Sequence, residues 1–215
     1  MPYHTLIFDL DGTLTDPLTG ILRCMNYALS SHNHPVISEN ELKPYIGPPL
    51  EIGLSELSGS NDETHIRELV ATYRERYGEF GYAENVVYDG IVDLLSSLQE
   101  QGFRMGICTS KFEKYAVKVL QSFELEQYFE FVSGSGKPGL TKADQLQDLL
   151  DNAIVTEGSL MIGDRDIDLI SAHKTGLHCA GVLWGYGSLQ ELKEQRPNII
   201  AETPAQLEAA ITGKS

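Results

Sequence analysis

The chain has 215 residues, of which 41% are hydrophobic and 22% are charged, and its formal net charge is -15. This composition is typical of a soluble globular protein that is large enough to bury a core. The negative charge disfavours nucleic-acid and membrane-surface partners, because phosphate backbones and anionic lipids would be repelled. No apolar run is long enough to span a bilayer, and the first residues lack the features of a signal peptide. The cysteines at 24, 108 and 179 are scattered, so we expect reduced thiols in a cytoplasmic protein.

The first notable pattern is a short apolar strand that ends in acid. Residues 6–8 are apolar, and Asp9 and Asp11 follow them, before a glycine and two threonines. Ligands of open α/β sheets bind just beyond the carboxyl ends of strands. We therefore expect both carboxylates at the mouth of a site, although ordinary strand-end turns and calcium loops show the same pattern.

Helical signals dominate the next part of the chain. Asp16 and Pro17 resemble an N-cap and a first helical residue, and apolar residues then recur at helical spacing. His32 and His34 end the first of these helices. No cysteine or carboxylate partner lies close to them in the sequence, so we expect solvated side chains rather than metal ligands. Residues 16–85 are thus predicted to be helical, without strands.

Helix and strand patterns alternate in the rest of the chain. The predicted strands cover residues 103–108, 129–132, 159–162, 178–183 and 199–200, with Asp89, Thr141, Ser188 and Thr203 as helix caps between or after them. Such alternation predicts a parallel sheet with helices on both faces. We expect a three-layer, Rossmann-like α/β core formed by residues 1–15 and 86–215. The helical insertion at 16–85 is expected to act as a cap, because it leaves from the carboxyl end of a strand.

Polar residues follow several of these strands at the same edge of the predicted sheet. They are Asp9 and Asp11 after the first strand, Thr109, Ser110 and Lys111 after the second, Asp164 and Asp168 after a later one, and Lys142 at a helix start. Four carboxylates in one cleft repel one another unless a cation lies among them. Ligands that are all oxygen favour a hard cation such as Mg²⁺, and the hydroxyls and lysines could bind phosphoryl oxygens.

These motifs resemble those of the haloacid dehalogenase-like superfamily. Residues 9–14 (DLDGTL) look like its first motif, residues 109–111 (TSK) like its second, and residues 163–168 (GDRDID) like its fourth. Residues 45–50 and 182–188 are similar to phosphoglycolate phosphatase-like members that carry a helical cap. The resemblance covers nearly the whole chain and implies an enzyme that acts on small phosphorylated metabolites.

The resemblance also implies a role for each carboxylate. Asp9 would be the nucleophile that takes the phosphoryl group, and Asp11 would move protons as acid and then base. Mg²⁺ would be held by the side chains of Asp9 and Asp164 and by the backbone carbonyl of Asp11. Asp168 would lie close by or act through water.

Phosphate binding would depend on the second motif and on one lysine. Thr109 would donate to phosphoryl oxygens, with Ser110 and Lys111 beside it. The lysine of the third motif is either Lys142 or Lys137. We favour Lys142, because a lysine at a capped helix start is better anchored than one in a loop of glycine and proline.

The resulting hypothesis is a Mg²⁺-dependent phosphatase of small phosphomonoesters, such as phosphoglycolate or, as for a 5'-nucleotidase, a nucleoside monophosphate. A phosphomutase of sugar phosphates and a catalytically silent binding module on the same fold remain alternatives. A dehalogenase is disfavoured, because it would need no second acid at Asp11. Either a monomer or a homodimer is compatible with the sequence.

Overall fold

The computed structural model describes residues 3–136 and 139–213, and the chain forms two compact units. The first comprises Met1–Asp16 and Val87–Ser215, and the second comprises Pro17–Val86. The strands are β1 (Thr5–Phe8), β2 (Thr15–Asp16), β3 (Val86–Val87), β4 (Arg104–Phe112), β5 (Phe131–Ser135), β6 (Leu160–Gly163), β7 (His178–Val182) and β8 (Ile199–Ala201). The helices are α1 (Leu18–Ser31), α2 (Glu39–Leu42), α3 (Leu50–Ser58), α4 (Glu63–Glu79), α5 (Ile91–Glu100), α6 (Glu113–Ser122), α7 (Lys142–Asp151), α8 (Asp166–Lys174), α9 (Leu189–Glu194) and α10 (Pro204–Thr212).

Six parallel strands form the sheet of the first unit, in the order β5-β4-β1-β6-β7-β8. Counted within this sheet, that is the 3-2-1-4-5-6 order of doubly wound Rossmann folds. Strand β1 lies inside the sheet, and all of its residues are buried, as expected for a parallel sheet that is covered on both faces. The strand order reverses between β1 and β6, where Phe8 lies opposite Ile162. This reversal defines the place at which a ligand site is expected.

Helices α5 to α10 accompany this sheet, and the predicted α/β fold class with a Rossmann-like parallel sheet is confirmed. The core is formed where apolar residues of the strands, such as Ile7 and Met161, pack with Leu146 of α7 and Leu169 of α8. Within the described ranges, no helix is both long and apolar enough to cross a membrane.

Several predicted element boundaries are wrong: the strand predicted at 129–132 is β5, Phe131–Ser135, and three further differences have an identifiable cause. Strand β4 continues to Phe112 through an irregular register, so residues 109–111 lie inside the strand rather than after it. Asp16 belongs to β2, which pairs with β3, and Pro17 precedes α1 without a side-chain cap. The N-cap of α5 is Gly90 rather than Asp89, because this position has a φ of 82°, which glycine adopts readily.

The second unit contains α1 to α4, and α1 packs on α4. Its fully buried apolar side chains include Leu29 on α1 and Leu69 on α4. Arg76 on α4 donates to Glu84 at 2.8 Å and to the sulfur of Cys24 at 3.1 Å. The helical unit therefore has its own apolar interior and its own half-buried ion pair.

Candidate active site

Two of the predicted site carboxylates lie where the strand order reverses. Asp9 directly follows β1, and its N–H donates to the carbonyl of Ile162 in β6 at 2.8 Å. Asp164 directly follows β6. Both carboxylates are buried, with Asp9 2% exposed and Asp164 fully covered. The chain therefore places two acids at the position where doubly wound sheets bind their ligands.

A tight turn after β1 holds the carboxylate of Asp164. Thr13 donates its hydroxyl to Asp164 Oδ1 at 3.1 Å, and the N–H of Tyr186 donates to Oδ2 at 2.8 Å. Gly12 has a φ of +87°, and a Cβ at this position would lie 2.3 Å from Asp164 Oδ2. Only glycine allows the turn to approach the carboxylate this closely.

Lys142 is the cation closest to Asp9 in the part of the chain that the structure describes. It is the first residue of α7, whose start is fixed by a capping box between Thr141 and Asp144. Its fully buried ammonium lies 3.0 Å from Asp9 Oδ1 and donates to Asp168. Burial lowers the pKa of Lys142, but the charges of Asp168 and Asp9 outweigh this effect, so the pKa is raised and the lysine stays charged.

The alternative third-motif lysine lies outside the described residues. Lys137 therefore has no position to compare with that of Lys142, and the choice between the two stays a prediction. Lys142 lies between two carboxylates, where a lysine can offset their negative charge.

Asp11 and Lys111 form a second buried ion pair. The ammonium of Lys111 donates to Asp11 Oδ2. The side chain of Lys111 is 7% exposed and that of Asp11 is 11% exposed. Burial raises the pKa of Asp11, and this outweighs the opposing effect of Lys111. A raised pKa is what a carboxylic acid needs in order to donate a proton near neutral pH.

The other residues of the second motif have different surroundings. Thr109 is buried, its hydroxyl accepts the N–H of Lys111 at 3.3 Å, and its carbonyl accepts from the side chain of Gln145 at 3.2 Å. Ser110 is half-buried, and among the described residues its side chain makes no hydrogen bond to the carboxylates. The structure thus brings Thr109 and Lys111 into the polar network, but not Ser110.

Three carboxylates lie close enough to share one cation. One oxygen each from Asp9, Asp164 and Asp168 lies within 4.8 Å of the others. Burial and the charges of Asp168 and Asp9 raise the pKa of Asp164 to about 8. Burial also raises the pKa of Asp168, although Lys142 opposes it. Asp9 Oδ1 is buried and accepts no hydrogen bond, despite its ion pair with Lys142. An all-oxygen set with an unsatisfied buried atom fits a hard divalent cation.

Some contacts of the site had no clear signal in the sequence. The donor from Tyr186 is a backbone N–H, and the indole of Trp184 donates to the carbonyl of Thr13 at 2.9 Å. Gln145 supports Thr109 from the first turn of α7. A glutamine on a helix and backbone donors in a loop carry no chemical signature, so only the folded chain shows what they support.

The fold and the buried carboxylates define a doubly wound α/β protein with an acidic site at the strand-order reversal. The family model described as haloacid dehalogenase-like hydrolase matches residues 6–182. A 5'-nucleotidase from Pseudomonas aeruginosa is 38% identical over 198 residues, which are 91% of this chain and 89% of that protein. The chain belongs to the haloacid dehalogenase-like hydrolase family, so the predicted family is confirmed.

Two further relatives extend this comparison. The crystal structure of a predicted phosphatase from Clostridium acetobutylicum has a TM-score of 0.92 and 35% identity, and the match covers 98% of this chain and 99% of that one. A protein named tyrosine-protein kinase PtkA from Mycobacterium tuberculosis is 36% identical over 186 residues. That match covers 85% of this chain but 62% of PtkA, so the chain spans less than two thirds of this relative.

Proposed function

We propose that this family member is a Mg²⁺-dependent phosphatase that hydrolyses small phosphomonoesters through an aspartyl-phosphate on Asp9. The observation that carries the proposal is the position of Asp9, which lies at the strand-order reversal, 3.0 Å from the ammonium of Lys142. A carboxylate that attacks a phosphate brings anions together, so a buried cation at this distance lowers the barrier.

In the first step, a carboxylate oxygen of Asp9 attacks phosphorus and the bond from phosphorus to the ester oxygen breaks. Asp11, whose pKa is raised by burial, is the group that we assign to donate a proton to the departing alkoxide. The products of this step are the free alcohol, an acyl phosphate on Asp9 and an ionised Asp11. Lys142 offsets the charge on Asp9 and on the phosphoryl group.

In the second step, Asp11 accepts a proton from water, and the water oxygen attacks phosphorus. The bond between phosphorus and the Asp9 oxygen breaks, which returns the Asp9 carboxylate and releases inorganic phosphate. Thr109 and Lys111 are the donors that we assign to the phosphoryl oxygens, because both belong to the same polar network as Asp11.

The cluster of buried carboxylates would need a divalent cation to balance its charge. Asp9, Asp164 and Asp168 are the side chains that would hold it, because their oxygens approach one another within 4.8 Å. When bound, Mg²⁺ neutralises the anions of the nucleophile and the substrate. Thr13 and the N–H of Tyr186 each donate to one oxygen of Asp164 and so fix the orientation of this carboxylate.

We assign the choice of substrate to the helical unit Pro17–Val86, which is inserted shortly after Asp11. Its arginines at 23, 67, 74 and 76 all lie within 3.7 Å of a glutamate carboxylate. Three of these arginine side chains are more than a third exposed and Lys43 is exposed as well, so the pairs leave basic groups accessible and do not exclude a second anionic group on the substrate. Curated relatives include a 5'-nucleotidase and a phosphoglycolate phosphatase. Of these two substrate types, the higher identity to the 5'-nucleotidase, 38% against 27%, favours nucleoside monophosphates.

The proposal is tested by phosphate release from a panel of nucleoside monophosphates, phosphoglycolate and sugar phosphates, with Mg²⁺ or with EDTA. We expect Mg²⁺-dependent hydrolysis, fastest for a nucleoside monophosphate, and no turnover by Asp9→Asn. Asp93→Asn, which changes an exposed aspartate of α5, is the matched control and should keep full activity. Absence of hydrolysis across the panel, or retained activity in Asp9→Asn, would overturn the proposal.

Two additional measurements distinguish the proposed phosphatase from a phosphomutase and from a kinase. A phosphomutase would need a sugar bisphosphate and would return the phosphoryl group to a sugar, so phosphate release without that compound excludes it. Because one relative is named a tyrosine-protein kinase, ATP with a tyrosine-containing peptide belongs in the panel. We expect transfer to water rather than to the peptide.

A further inference from the structure

A second group of metal-binding side chains lies within the helical unit Pro17–Val86. His32 follows the C-terminal end of α1, and His65 and Glu68 lie three residues apart on one face of α4. One ligand atom from each of the three lies within 4.8 Å of the others. The sequence around His32 offers no nearby partner and predicts a solvated side chain, but packing of α1 on α4 supplies both a histidine and a carboxylate.

Hydrogen bonds orient the two imidazoles of this group. His32 Nε2 lies 2.9 Å from the hydroxyl of Thr72, and His65 Nε2 lies 2.8 Å from His34 Nε2. Histidines that bind metals usually donate the N–H of their other ring nitrogen to such a partner, which fixes the tautomer. With Nε2 engaged in each ring, Nδ1 is the nitrogen left for a cation.

The distance between His65 and Glu68 also fits a bridging cation. His65 Nδ1 lies 3.9 Å from Glu68 Oε2, which is too long for a hydrogen bond. Two ligands of one tetrahedral ion, each about 2.0–2.2 Å from it, are about 3.3–3.6 Å apart. A small rotation of the exposed Glu68 side chain would close the remaining few tenths of an ångström. The histidines are half-buried and Glu68 is exposed, so a cation from solution has access to the group.

The donor set selects the class of ion. Mg²⁺ prefers oxygen ligands only, whereas imidazole nitrogen together with carboxylate suits Zn²⁺ and other divalent transition metals. We propose that His32, His65 and Glu68 bind one Zn²⁺, with His34 and Thr72 as positioning residues and water in the open position. The bound ion joins the end of α1 to α4 and stabilises the helical unit. This site is independent of the proposed phosphatase site.

The test is equilibrium binding of Zn²⁺ to the full chain without a histidine tag, with saturating Mg²⁺ present to occupy the acidic site. His65→Ala and Glu68→Gln each remove one ligand. Glu75→Gln removes another exposed carboxylate of α4, and His4→Ala removes an exposed imidazole of the other unit, so these are matched controls. The thermal midpoint of each protein is measured with and without Zn²⁺.

We expect one Zn²⁺ per chain in the wild type and in both controls, and a rise in the thermal midpoint on binding. His65→Ala and Glu68→Gln should bind at least about tenfold more weakly and lose that rise. Equal Zn²⁺ affinity in all five proteins, or no binding by the wild type, would show a cluster held by hydrogen bonds alone and would overturn the proposal. If His65→Ala fails to fold, Glu68→Gln still decides the outcome, because its side chain is exposed.

Discussion

The ammonium of Lys142 donates to the carboxylate of Asp168, and both side chains are fully buried. Lys142 also lies 3.0 Å from Asp9, so its removal would leave two carboxylates buried without a compensating cation. Breaking such a pair from one side costs about 3–5 kcal/mol. We therefore expect Lys142→Met to lower the free energy of unfolding in urea by about that amount and to abolish phosphate release.

Two further variants show whether the lost stability and activity of Lys142→Met come from the uncompensated charges. Lys114→Met changes an exposed lysine at the start of α6 and should change neither quantity. Adding Asp168→Asn to Lys142→Met removes one of the two uncompensated charges, so the double variant should be more stable than Lys142→Met alone. Simple additivity of the two single substitutions would contradict the coupling that the geometry indicates.

Asp11→Asn should separate the two proton transfers that we assign to this residue. An alkyl phosphate needs its leaving oxygen protonated, whereas p-nitrophenolate leaves without help. We expect phosphate release from alkyl esters to fall about 10²–10⁴-fold. Formation of the aspartyl-phosphate from p-nitrophenyl phosphate should persist, because only the second step then needs Asp11.

The measurement is a burst of p-nitrophenolate together with acid-trapped phosphoprotein from Asp11→Asn. Wild-type protein and Asp93→Asn should show steady turnover without accumulated phosphoprotein. If phosphate release from alkyl and aryl esters fell by the same factor and no burst of p-nitrophenolate appeared, the role of Asp11 as acid and base would be contradicted.

The sequence was sufficient for the sheet and for the acidic strand ends. Residues 6–8 are apolar and buried, and the alternation after residue 85 predicted a parallel sheet with Asp9 and Asp164 at one edge. The strand order that makes β1 and β6 neighbours was not predicted. The end of β4 was predicted wrongly, because a register shift lets Cys108 and Phe112 belong to one strand. Such a shift depends on tertiary packing rather than on the residue pattern.

The residues of the site could be proposed from the sequence, but the contacts among them could not. Thr13 and Asp164 are far apart in the sequence, and the second donor to Asp164 is the backbone N–H of Tyr186. Likewise, His32 gains His65 as a neighbour only when α1 packs on α4. Partners that meet through packing leave no local spacing to detect.

The raised pKa of Asp164 predicts how stability depends on pH and metal. In the folded chain this carboxyl has a pKa of about 8, because of burial and the charges of Asp168 and Asp9, whereas an unfolded aspartate has a pKa of about 3.9. The folded state therefore holds a proton that the unfolded state has released over this interval. Its stabilising effect is complete below the unfolded pKa and is lost as the pH rises toward 8.

With EDTA, we expect the thermal midpoint to fall between pH 6 and pH 8. A cation needs ionised carboxylates, so the stabilisation by Mg²⁺ should be larger at pH 8 than at pH 6. Asp164→Asn cannot ionise and should lose both the pH-dependent fall and most of the Mg²⁺ effect. A Mg²⁺ shift that is equal at the two pH values would contradict this linkage.

Gly12 tests the close approach of the turn to the metal-binding carboxylate. Gly12 and Gly102 both have positive φ, at +87° and +81°, but an added Cβ would lie 2.3 Å from Asp164 Oδ2 in the first case and would meet nothing within 4 Å in the second. Alanine at either position should cost about 1–3 kcal/mol of stability through backbone strain, measured by urea unfolding.

Only Gly12→Ala should also displace Asp164, because only its methyl group collides with that carboxylate. We expect it to raise the Mg²⁺ concentration for half-maximal phosphate release at least about tenfold, the usual cost of disturbing a ligand's support. The same Mg²⁺ requirement in Gly12→Ala and Gly102→Ala would mean that Asp164 does not hold the ion.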